Sequence, residues 1–156
     1  MGVSSSFLLD RARSSRDRRE QWQQSRLEVY VDYLTELSRA YESLWALARR
    51  EYETAVDNPD ATARLILRAS SMFQTRQRLL ILASQSVRAA GQNAFDDIMR
   101  LRSVVGSGVL AQSEDFKAAN GSYRASVEGL RDAIRHELDL PEEAHGTITN
   151  AHPVKA

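Results

Sequence analysis

Three side chains towards the C-terminal end could hold a metal. Glu128, Asp132 and His136 follow one another at i, i+4 and i+8, which stacks them on one face of a helix. Carboxylate and imidazole ligands of this kind build the di-metal sites of helical bundles, but those sites need Glu-x-x-His pairs projecting into the core. Ala133 stands three residues before His136, and His145 and His152 lie in the final stretch of chain. The trio also borders the apolar seam Val127, Leu130, Ile134, where charges face water and pair along the helix, so no metal is expected. Glu28, Asp32 and Glu36 repeat the pattern nearer the N-terminus and read as a solvated acidic row.

Basic residues suggest a second chemistry. Arg64, Arg68 and Arg78, with Thr75 between them, form a row that could meet phosphates. No aromatic side chain interleaves for base stacking, and no helix-turn-helix or Gly-rich loop accompanies the row. The 21 basic and 21 acidic residues cancel, so nucleic acid is not an expected partner. Arg76 interrupts an apolar face between Met72 and Leu79. It either snorkels at the edge of that face or pairs with an acid of a neighbouring helix. The opening Met1-Gly2-Val3-Ser4-Ser5-Ser6 matches an N-myristoylation pattern, and five arginines follow within residues 11–19. Of the 21 basic residues 19 are arginine, a skew that suits a GC-rich bacterial gene, a setting without that modification. Unmodified attachment of Phe7-Leu8-Leu9 and the arginines to a membrane surface is the other reading of this segment. With no cysteine, disulfides, thiolate metal sites and cysteine nucleophiles are excluded. No acid–base or nucleophile constellation can be named, so we expect no enzyme and no cofactor.

The elements that would position these residues are helices. Leu27, Tyr30, Leu34, Leu37, Tyr41, Leu44 and Ala48 recur at intervals of three and four, the seam of a helix running from about Glu20 to Val56. Tyr30, Tyr33, Tyr41, Trp45 and Tyr52 on it read as core, with hydroxyls reaching the rim. Asn58-Pro59 stops that helix and caps the next, with Asp60 at its positive end. The second helix presents Leu65, Ile66, Ala69, Met72, Phe73, Leu79, Leu80 and Ala83, leaving Leu67 off the face; it ends either at Gly91, a residue that suits the position just past a helix, or at Ser84-Gln85-Ser86, the break chosen here. Val87, Gly91, Ala94, Ile98, Leu101 and Val105 form the third seam, which places Gly91 inside a helix and against a neighbour. Gly106-Ser107-Gly108 ends it, and Ser113 caps a fourth helix with Phe116, Asn120, Tyr123, Val127, Leu130, Ile134 and Leu138 in its seam. Pro141 ends the pattern. The charge alternates by segment, +2 over 1–20, −3 over 21–57, +4 over 58–112 and −3 over 113–156, as suits helices that neutralise one another.

The Arg-Glu-rich opening with Tyr30 and Tyr33, the Leu82-Ala83-Ser84 turn before Val87-Arg88-Ala89-Ala90, and the closing Arg135-His136-Glu137-Leu138 resemble a loose group of small uncharacterised helical proteins from actinobacteria, over about residues 20–140. The resemblance implies a helical fold and a break at Ser84, and no activity. Members of that group often start with a membrane-spanning helix. The longest apolar run here, Leu79 to Ala83, is far shorter than the ~20 residues of a span.

The expected fold is therefore all-α: an antiparallel four-helix bundle, up-down-up-down, over residues 20–140, with an extended first helix. Residues 1–19 are expected to be disordered or frayed and residues 141–156 a flexible tail. The expected function is that of a non-enzymatic interaction or scaffold module, cytoplasmic or at a membrane surface. It would act through Trp22, Leu27 and Tyr30 of the first helix on a protein partner or a second copy. Peripheral membrane attachment through the Arg-rich opening is the alternative.

Overall fold

The computed structural model describes residues 4–50 and 57–139, with side chains from Arg18 onwards, Arg19 excepted. The chain is all-α. Among the described residues five helices follow in order: α1 Ser4–Arg49, α2 Pro59–Ala69, α3 Met72–Leu82, α4 Gln85–Gly106 and α5 Glu114–Glu137.

Helix α1 begins sixteen residues earlier than the Glu20 expected. Residues 4–19, expected to be frayed, contain no proline or glycine and are rich in arginine, a good helix former. Extending a helix already nucleated by a packed segment costs each added residue little. The other end of α1 stops at Arg49, short of Val56, because Arg50 adopts the left-handed conformation (φ 55°) and its N–H donates to the Leu47 carbonyl at 3.1 Å. Residues 51–56, expected to continue this helix, lie outside the described residues, as do the 141–156 tail and Met1 to Val3.

The largest departure from expectation lies in the second helix, which is two. At Ser70 the backbone turns to φ −78°, ψ 147°, and the Ser70 hydroxyl donates to Leu67 O at 2.8 Å. Ser71 opens α3, and its N–H is taken by Glu36 of α1 at 2.9 Å. Serine side chains offer the backbone a bonding alternative to the helix, and an acid from another helix completes it. The break resets the register. Leu67, expected off the face, is buried with Ala63, whereas Leu65 and Phe73 are exposed.

The remaining boundaries follow the sequence reading. Asn58 caps α2 by accepting from Ala61 N–H at 2.9 Å. Ser84 caps α4, accepting from Val87 N–H. Ser113 caps α5, accepting from Phe116 N–H at 3.2 Å. All six residues of the α4 seam are buried, Gly91 included. α5 buries Phe116, Tyr123, Val127, Leu130 and Ile134.

Cross-helix pairs fix how these helices lie. Arg26, Leu37, Tyr41 and Trp45 of α1 meet Glu137, Tyr123, Asn120 and Phe116 of α5, so the two run in opposite directions. Asp32 and Glu36 likewise meet Arg78 and Ser71 of α3 in reversed order. α4 packs against α5 and α2. Between α1 and α5 the space is filled by rings: Tyr41 stacks on Tyr123 at 5.0 Å, and Trp45 meets Phe116 edge-on at 5.2 Å. The helices come close at Gly91, where a Cβ would stand 2.5 Å from Leu79 Cδ2. Tyr33, also against Gly91, donates its hydroxyl to the Gly91 carbonyl at 2.9 Å, deep in the core and not at the rim. Full burial of each of Leu37, Leu44, Leu79 and Leu101 contributes about 1.5–3 kcal/mol.

Candidate interaction surface

Most residues that could have formed a chemical site are instead tied into pairs, while Arg68 of the basic row stays at the surface. Glu128 pairs with Arg131, and Asp132 with Arg135 at 3.7 Å, each three residues along α5, while His136 is exposed. No cluster of three His, Cys, Asp or Glu able to hold a metal occurs among the described residues. The acidic row on α1 is only partly solvated. Asp32 bridges to Arg78 at 2.7 Å, and Glu36 holds the start of α3 while pairing with Arg39 at 2.8 Å. The basic row dissolves too. Arg64 joins Arg102 on Asp60, Arg78 is taken by Asp32, and Thr75 is buried. Arg76 finds neither of its two expected settings. It lies 4.4 Å over the Phe95 ring and bonds to Gln92 of α4, whose amide donates to Asp96.

What remains is the N-terminal half of α1. At its base a buried polar cluster joins three helices. Glu137, in the last turn of α5 and only 9% exposed at its side chain, receives Arg26 of α1 at 2.7 Å on one oxygen. Its other oxygen accepts the Ser84 hydroxyl at 2.6 Å, at the cap of α4. Tyr30, 1% exposed, lies close by. Burial, and then the neighbouring Glu137 carboxylate, push its phenol above the usual tyrosine range, with Arg26 opposing. A carboxylate at a helix C-terminus faces the negative end of the dipole. Arg26 and the Ser84 hydroxyl offset that here. The cluster sets the direction in which α1 leaves the bundle.

Beyond Arg26, Leu82 at the end of α3 faces α1 across a groove. Residues 4–25 of α1 are about 33 Å of helix at 1.5 Å per residue. Trp22 is 57% exposed and Leu27 46%. Arg18, Gln21, Trp22, Gln24, Ser25 and Glu28 form one wall of a groove of about 460 Å³, and Leu82 forms the other. Nearby in the chain, Ile81 is 79% exposed.

Of the three residues named from sequence, Trp22 and Leu27 thus lie at the surface and Tyr30 does not. Tyr30 belongs to the buried cluster, because α5 reaches back to Arg26 and covers it. Sequence reasoning missed Leu82, Ser84 and Glu137. One signal for Glu137 was present: an acid in the last turn of a helix needs a cation or donor from elsewhere to be tolerated. No helix of the described residues is long and apolar enough to cross a membrane. Comparison with protein-family models, with curated proteins and with solved structures finds no match.

Proposed function

We propose that this chain is a non-enzymatic interaction module. In this reading α2 and α3 together form the second leg of an up-down-up-down bundle, whose task is to hold the N-terminal half of α1 out for a partner. The observation that carries the reading is Trp22, more than half exposed on a helix anchored one turn away by the partly buried Arg26–Glu137–Ser84 cluster. An exposed tryptophan on a rigid element makes a strong contact at low entropic cost, and tryptophan, with tyrosine and arginine, is enriched among the energetic centres of interfaces. Leu27, five residues on, is exposed as well but on another side of the helix.

Photo-crosslinking in the native cell tests this. A benzoylphenylalanine at position 22 is expected to give discrete protein adducts, while the same group at Leu65, similarly exposed on α2, gives none. Absence of adducts from position 22, or the same adducts from both positions, overturns the reading.

A further inference from the structure

The groove beside α1 has a symmetry of its own. Arg18 lies five residues before Gln23 and Glu28 five residues after it, with Trp22 and Gln24 flanking the centre. Arg18 and Glu28 mark the two ends of the same groove wall, and Gln21, Trp22, Gln24 and Ser25 fill the span between. The wall is therefore basic at one end, acidic at the other and aromatic in the middle. Reversed end for end, it presents acid to base and base to acid.

We propose that this groove docks a second copy of the chain, two α1 helices crossing antiparallel at Gln23 so that Arg18 of each copy faces Glu28 of the other. The inference rests on α1 being the contact surface, and adds the identity of the partner. A two-fold interface must be complementary to itself, and the groove is so in charge. Parallel docking would oppose Arg18 to Arg18 and Glu28 to Glu28. Glu28 is exposed, and among the described residues it accepts a long hydrogen bond, 3.4 Å, from Gln24 within α1. Trp22 of one copy meets the centre of the other's groove, with Leu82 as its apolar wall. The contact spans about three turns of each helix, less than a standard interface, which points to a dissociation constant on the order of micromolar.

Charge reversal tests this with the full chain. By sedimentation velocity the wild type is expected to shift from 17.6 kDa towards twice that mass as concentration rises through the micromolar range. Arg18→Glu alone and Glu28→Arg alone each put like charges across both symmetric contacts and stay monomeric. Mixed in equal amounts they associate, because the first chain is acidic at both groove ends and the second basic at both. The two changes in one chain restore self-association. Both residues are at the surface, and circular dichroism confirms that each variant keeps its helicity. A wild type that stays monomeric throughout, single variants that associate as the wild type does, or a mixture that does not associate would each overturn the proposal. If the adduct from position 22 joins the chain to a different protein while the purified wild type stays monomeric, the second copy is the wrong occupant and α1 is still the contact surface. If position 22 gives no adduct, the surface itself is wrong.

Discussion

Glycines in this chain carry opposite demands that their sequence positions do not reveal. Gly91 faces Leu79 and Tyr33 so closely that a methyl group would overlap Leu79 Cδ2, whose side chain is fully buried and has little room to move. Gly121 and Gly129 sit mid-helix in α5, and a Cβ added at either would meet nothing within 4 Å. Alanine gains about 1 kcal/mol over glycine in a helix interior, whereas overpacking a tight core costs about 1–3 kcal/mol. Gly121→Ala and Gly129→Ala are therefore expected to stabilise by about 0.5–1 kcal/mol each, and Gly91→Ala to destabilise by about 1 kcal/mol, as read from urea midpoints. The tyrosines make a second expectation at this scale. Burial raises the phenols of Tyr30, Tyr33, Tyr41 and Tyr123 above their ordinary value of 10.0. The folded chain then keeps protons that the unfolded chain releases above that pH. Stability is fully present below about pH 10 and falls as pH rises past it, by up to ~1.4 kcal/mol per pH unit for each phenol. Urea midpoints from about pH 9 to about pH 11 check this.

Helix ends are where individual residues decide the elements. Arg50 carries a φ of 55° that glycine adopts freely and arginine does not. Arg50→Gly is expected to raise stability by about 1 kcal/mol in thermal unfolding, since it relieves that strain at the end of α1. Glu137 plays the matching part at the end of α5. Replacing it with glutamine preserves the shape and an acceptor for Ser84, but leaves Arg26 without its anion. Because Arg26 is partly solvated, the cost is expected at about 2 kcal/mol, below the range for a fully buried pair. Hydrogen exchange would then rise first in the turns of α1 around Arg26 and Tyr30. The division of α2 from α3 belongs to this scale as well. Ser70 and Ser71 do not break a helix by themselves, and Glu36, thirty-five residues away from Ser71, is what turns a weak preference into a break.

The whole molecule has two parts of different standing: a packed body from about Arg26 onwards, and a helix that runs past it. The cross-helix pairs of α1 described above lie from Arg26 onwards. Deleting residues 1–17 is therefore expected to leave the thermal midpoint unchanged while total helicity falls by the residues lost, measured by circular dichroism. A lowered midpoint would show that this stretch packs on the body after all.

Periodicity settled which residues line the core in α4, but not throughout α1, where Leu27 of the expected seam is exposed and Val29, Tyr33, Ala40 and Leu47 outside it are buried. The α4 pattern from Val87 to Val105 and the Ser84 and Ser113 caps stand in the structure as read, because burial of an apolar stripe and satisfaction of free N–H groups are local demands that neighbours in sequence can announce. The resulting all-α class was legible for the same reason. Tertiary structure alone decided what depended on distant partners: that Glu36 splits the second helix, that Leu67 rather than Leu65 is buried, that Arg76 stacks on Phe95, and that Tyr30 lies under Glu137 while Trp22 stands in water. Tyr30 and Trp22 belong to one helix and look alike in pattern. Only where α5 ends, opposite Arg26, separates a core residue from a surface one, and that level is a property of the assembled helices, not of either segment.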